Sequence, residues 1–225
     1  METGGITRLA AERLSELADP EAARQMAAYM KTDMPFYGVK KPDRVPVLRR
    51  LAAEFPPANA SDYRRKVGAL WERPHREEKY LAIGYARRFG DHIDLPQLGL
   101  YRRMVVEGAW WDLVDEVAAH LVGKLVAEHR RQMRPVLEGW IDDDDLWLRR
   151  TAILCQLRHK EATDAAILFD FCRRRAHEKE FFIRKAIGWA LREYARTDPE
   201  AVRQFVEDAG GELSGLSRRE ATRHL

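Results

Sequence analysis

The sequence predicts an all-α protein, an α-solenoid of stacked helix pairs, and three observations lead there. Apolar residues recur at i, i+3, i+4 and i+7 through nearly every segment, and no stretch alternates convincingly as a half-buried strand would. Prolines stand where several of these periods begin, with short connectors between them. A basic pair on an apolar helix returns about every 35 residues, as it would in an array of repeated helix pairs. An irregular helical bundle is the competing architecture. The 225 residues are read as one domain, 1–225. At 45% hydrophobic and 33% charged they can bury a core, and neither disorder nor membrane insertion is expected.

In chain order, the opening "METGGITRLAAERLSELADP" reads as an amphipathic helix from near Ile6, without the apolar run of an export signal. Further helices are expected from near Pro20, Pro46, Asp62, Arg76, Pro96, Trp110, Arg131, Leu146, Thr163, Glu180, Pro199 and Leu216. The exception among the connectors is "TDMPFYGVKKPDRVP", whose Pro, Gly and lysines predict a longer loop. Asp142 to Asp145 precede the Leu146 helix, where carboxylates suit a helix N-terminus. They are read as capping and not as a metal site. The two cysteines, Cys155 and Cys172, lie in apolar helical periods, so neither a zinc site nor a disulfide framework is expected. A reducing cytoplasm fits this usage.

The repeat is visible in residues. "LWLRRTAILCQL" aligns with "FFIRKAIGWALR", so Arg149 and Arg150 match Arg184 and Lys185, and a further step reaches Arg218 and Arg219. A step of 36 back from Trp147 lands on Trp111 and puts Asp115 level with Thr151. Stacked pairs line a concave surface with one helix each, so a recurring basic pair predicts a positive stripe along that groove and an extended anionic partner. The net charge of +3 does not by itself identify such a partner.

Helical projection then separates core residues from misplaced ones. In "WWDLVDEVAAHLVG", Trp110, Val114, Val117 and Leu121 form the core stripe with Leu113 beside it. Trp111 and Asp115 are neighbours on its flank, and Asp112 and Glu116 point to water. One account is an indole covering a rim while Asp115 meets an arginine. In "EFFIRKAIGWALREYA", Trp189 is off the apolar face, between Lys185 and Arg192, with Gly188 beside it to admit something close to the backbone. Bases interleaved with an aromatic suit a nucleic acid; burial against the neighbouring repeat is the other account. Arg150 lies among apolar residues and needs a specific anion, which position alone leaves as either a phosphate or a carboxylate.

These segments, with weaker support from "MAAYMK" and "YGVKKPDR", resemble the AlkD-type alkylpurine DNA glycosylases, a family of HEAT-like repeat proteins, over most of the chain. The resemblance implies a concave basic groove that holds double-stranded DNA and releases 7-methylguanine or 3-methyladenine. It implies Asp115 as the catalytic carboxylate and Trp111 and Trp189 as contacts to the lesion-bearing nucleotide. It places Arg150 and Arg192 on phosphates and associates Tyr29 with DNA; Lys185 joins them as a basic contact beside Trp189. A purine alkylated at N3 or N7 is cationic and leaves as a neutral base, so no general acid is required. The positive charge that develops on the sugar is what a carboxylate would stabilise. No lysine stands out as a Schiff-base nucleophile, so hydrolysis without strand cleavage is expected, with no metal, no cofactor, no membrane partner and a monomeric state. Cytoplasmic location with action at the nucleoid follows. A short or missing terminal cap after Leu225 and the acidic run before Arg150 depart from the expected pattern. A noncatalytic damaged-DNA-binding repeat protein and a protein–protein scaffold are the alternatives.

Overall fold

The computed structural model describes residues 3–225, whose regular structure is all helical with no strand among them. By internal packing the chain divides into two units, Met1–Leu100 and Tyr101–Leu225.

The first unit contains α1 (Thr3–Glu16), α2 (Pro20–Met30), α3 (Lys41–Glu54), α4 (Ala60–Trp71) and α5 (Arg76–Arg88). Ile6, Ala10 and Leu14 give α1 a fully buried stripe at i, i+4, i+8, which packs on α3 and α4. Tyr63, Val67, Leu70, Leu81 and Tyr85 complete that core between α4 and α5. Helix α2 differs, because it buries no residue. Its start is fixed instead by backbone contacts. Asp19 caps it by accepting from the Glu21 and Ala22 amides at 2.9 and 3.0 Å, and the Asp19 amide donates to the Tyr37 carbonyl at 2.9 Å. Gly38, at φ 87°, is the residue this approach requires, since a Cβ there would lie 2.1 Å from the Asp19 carbonyl oxygen. The buried Glu77 carboxylate accepts the amides of Tyr37, Gly38 and Val39 at 2.9–3.0 Å and holds the loop in that shape.

The loop is shorter than its composition suggests. Helix α3 begins at Lys41, and Pro46 lies inside it on the exposed side, where water satisfies the carbonyl that proline leaves free. Helix α6 (Leu98–Gly108) follows, preceded by a 3₁₀ turn over Leu95–Gln97 that contains Pro96.

The second unit continues with α7 (Trp111–Glu116), a π-helical segment Val117–Val122, α8 (Gly123–Glu128), α9 (Arg130–Ile141), α10 (Leu146–Leu154), α11 (Ala165–Arg174), α12 (Phe181–Tyr194), α13 (Pro199–Asp208) and α14 (Gly215–Ala221). Helices α7, α10, α12 and α14 pack successively side by side, and α9, α11 and α13 each pack on the helix that follows them. This is the stack of pairs that the repeat predicts. Leu113, Val114, Val117 and Leu121 are fully buried, as their face requires. Asp145, Asp164, Asp198 and Ser214 cap α10, α11, α13 and α14 through backbone amides at 2.7–3.1 Å. Only Asp145 of the acidic run caps α10 with its side chain. Asp142 instead pairs with Arg174 and Arg175, because the end of α11 brings two guanidiniums within reach. Both cysteines are free and buried, and burial pushes the Cys155 thiol up to about 12, so neither is a nucleophile at neutral pH.

Candidate functional site

Helices α7, α10 and α12 begin at Trp111, Leu146 and Phe181, a constant step of 35 residues. That register puts Asp115, Arg150 and Lys185 at equivalent points of neighbouring helices, and the next step reaches Glu220 on α14. The series reads acid, base, base, acid. Its ends are closed by two ion pairs, Asp115 with Arg150 and Lys185 with Glu220, each spanning 35 residues. Asp115 therefore stands opposite Arg150, not level with Thr151 as the 36-residue tryptophan match implies. Trp111 opens α7 whereas Trp147 is the second residue of α10, so matching the tryptophans slips the register by one.

The Asp115–Arg150 pair is a fork. Arg150 donates from Nε to Oδ1 at 2.7 Å and from Nη2 to Oδ2 at 2.8 Å, while Nη1 donates to the Phe182 carbonyl. The sequence left the anion for Arg150 open, and in this structure it is a carboxylate. Both members are largely buried, the Arg150 side chain being 5% exposed and that of Asp115 13%. An ionised carboxylate offers about four lone-pair directions, and the fork occupies two. Burial pushes the Asp115 carboxyl above its ordinary range. Arg150 opposes that rise through hydrogen bonds and charge, and Asp112 and Glu116 add to it. Those two acids are half-buried, not fully in water.

Two adjacent tryptophans have different tasks. Trp110 is outside the helix, in extended conformation at the N-cap of α7, after Ala109 at φ 37°. Its ring packs with Trp147 and Phe182 at centroid distances of 6.0 and 5.3 Å, and Trp147 and Phe182 are 5.0 Å apart. The Arg150 guanidinium lies 5.9 Å from the Phe182 ring. This cluster braces the starts of α7, α10 and α12, and so fixes the fork. Trp111, the first residue of α7, is half-buried one turn before Asp115.

On α12, Trp189 is half-buried between Lys185 and Arg192. Lys185 Nζ donates to Glu220 Oε1 at 2.8 Å and Arg192 Nη1 donates to Oε2, so one carboxylate engages both cations. The hydrogen bond from Lys185, opposed by burial and aided by Arg192, holds the Glu220 carboxyl below its usual range. Gly188 is explained by the same contact. A Cβ on it would lie 2.4 Å from Glu220 Cβ and 2.9 Å from the Ser217 carbonyl oxygen, so what approaches the backbone there is α14. The glycine serves helix packing, not access for a ligand.

Of the expected site residues, Asp115 and Arg150 meet directly, and Lys185 and Arg192 meet through Glu220. Tyr29 belongs to the first unit, on α2, and is 72% exposed. The leading bases of two of the three pairs serve the chain itself. Arg149 donates to the Asp143 and Asp144 carbonyls and Arg218 to that of Gly210, which tie down the turns before α10 and α14. Glu220 and Phe182 escaped the sequence reading. The signal for Glu220 was present, since it lies one repeat step beyond Lys185.

A family model described as DNA alkylation repair enzyme matches residues 10–225. A solved structure described as a predicted DNA alkylation repair enzyme from Enterococcus faecalis is similar at 31% identity and a TM-score of 0.84. The match covers 92% of this chain and 96% of that one. No curated protein matches.

Proposed function

The chain belongs to the DNA alkylation repair enzyme family, and from that premise we propose that it is a monofunctional glycosylase for cationic alkylated purines, 7-methylguanine and 3-methyladenine, in duplex DNA. The observation that supports this most is a largely buried carboxylate, oriented by a two-pronged arginine contact, one turn from a half-buried tryptophan.

Alkylation at N7 or N3 gives the purine a positive charge. As the N-glycosidic bond breaks, its electron pair returns to the ring, the base leaves neutral, and the charge moves to the sugar. Water adds at C1′ and loses a proton, leaving an abasic deoxyribose. Asp115 stabilises the charge on the sugar with the lone pairs that Arg150 does not use, and accepts a hydrogen bond from the incoming water. Arg150 keeps the carboxylate in one orientation, so no reorganisation is needed as the charge develops. Indole faces at Trp111 and Trp189 add cation–π attraction of about 0.5–2 kcal/mol each. Lys185 and Arg192 hold the strand, and Tyr29, in the first unit, is a separate DNA contact in this reading.

A noncatalytic reading has an observation of its own: a carboxylate forked by arginine also makes a structural strut. Incubating the protein with a duplex containing 7-methylguanine and assaying the free base separates the two. Release above spontaneous depurination is expected, and its absence removes the enzyme reading.

A further inference from the structure

The strand-holding role given to Lys185 and Arg192 meets an obstacle in the fold, because both are already engaged by Glu220. We infer that Glu220 is a built-in competitor for the DNA backbone: its carboxylate occupies the place of a phosphate between Lys185 and Arg192, and duplex must displace it to bind there. This rests on the proposed DNA contact of those two cations, and on no feature of the Asp115 chemistry.

Three features of the contact support competition over simple bracing. First, one carboxylate spans two cations seven residues apart on α12, as a bridging phosphate oxygen pair would. Second, the backbone behind it is fixed. Gly188 lets α14 approach to where no Cβ fits, and Ser217 Oγ donates to the Arg184 carbonyl at 3.0 Å. Release of the cations therefore needs rotation of one side chain, not movement of a helix. Third, the carboxylate is not sealed in. The side chains of Glu220, Arg192 and Lys185 are 18%, 20% and 38% exposed, so the contact is only part-buried. A tethered carboxylate remains near its cations at a high effective concentration, which lowers affinity for undamaged backbone.

The test is fluorescence anisotropy with a labelled, unmodified duplex over a salt series, on wild type, Glu220→Gln, Lys185→Ala, Arg192→Ala and Glu220→Gln combined with Lys185→Ala. Glu220→Gln is expected to bind roughly fivefold tighter at low salt, the size of one screened charge interaction at a surface. Its log affinity should also fall with log salt more steeply, by about one counterion. Adding Lys185→Ala should cancel most of that gain. If Glu220→Gln binds equally or more weakly while Lys185→Ala and Arg192→Ala weaken binding, Glu220 is a brace and the inference is overturned, with the DNA contact intact. If neither cation variant changes binding, both that contact and the inference fall. Should Glu220→Gln melt too low to use, Glu220→Asp keeps the charge on a stem one methylene shorter. It is then expected to tighten binding to a smaller degree, and unchanged affinity there counts against the proposal.

Discussion

Asp115→Asn puts the central geometry at risk. The substitution leaves an acceptor facing Arg150 Nε, which now sits 2.7 Å from Oδ1. It also sets an amide donor against Arg150 Nη2, 2.8 Å from Oδ2, so one arm of the fork becomes a donor–donor clash. Arg150, 5% exposed, keeps the Phe182 carbonyl but loses its counter-ion. Breaking a buried pair costs about 3–5 kcal/mol, and the contacts that survive place this case near about 3 kcal/mol. In a chain of this size that is a fall in Tm of roughly 6–12 °C. The chemical effect is separate: loss of a preorganised group that stabilises transition-state charge slows the reaction by on the order of 100- to 1,000-fold. Single-turnover release of 7-methylguanine, with duplex affinity measured alongside, isolates it. Release slowed to that degree with affinity nearly unchanged is expected. A variant that melts lower yet releases base within about threefold of wild type would show the carboxylate to be a strut, and the mechanism would be wrong. Arg150→Gln is the reciprocal perturbation. Without the fork, burial raises the Asp115 carboxyl further, so the acid limb of the pH–rate profile should move to higher pH.

Other outcomes follow from single contacts. Gly188→Ala forces a Cβ to 2.4 Å from Glu220 Cβ and 2.9 Å from a carbonyl oxygen, and should cost about 1–3 kcal/mol as overpacking, read by thermal melting. Ala109→Gly relieves a left-handed φ of 37°. It should stabilise by about 0.5–1 kcal/mol, the residual of about 1–2 kcal/mol of strain after the extra unfolded-state freedom of glycine; a lower Tm would show that the turn is not strained. Glu220 has its carboxyl below the ordinary 4.5, so its contribution is present above that pH and is lost as pH falls through the lower folded value. Glu220→Gln should therefore flatten the acid limb of a stability–pH curve, and an unchanged limb would contradict the ion pair. Asp115 has the opposite sign. Its raised carboxyl makes stability fall with rising pH between 3.8 and its folded value, so the two acids are distinguishable in one titration.

Much of this was legible before any fold was known. Helical period located nearly every element, since side chains at i, i+3 and i+4 share a face whatever the helix packs against. The stripe Leu113, Val114, Val117 and Leu121 is buried for that local reason. The step of about 35 residues was visible too, as was the misfit of Trp111, Asp115, Arg150 and Trp189 with a simple apolar face. Pro46 misled because proline is tolerated inside a helix on its exposed side; the start expected near Trp110 holds to within one residue, Trp110 being the N-cap of α7.

What tertiary structure alone decided is which charge meets which. The pairing of Asp115 with Arg150, and of Glu220 with Lys185 and Arg192, depends on cross-helix register to within one residue. A tryptophan match off by one residue was enough to assign Asp115 the wrong neighbour. Gly188 shows the same limit: a missing side chain in a helix announces a close approach, but only the packing of α14 says what approaches. Periodicity is a property of one helix and is written in its own residues, whereas the partner of a charged group is set by the spacing between two helices, which no single segment contains.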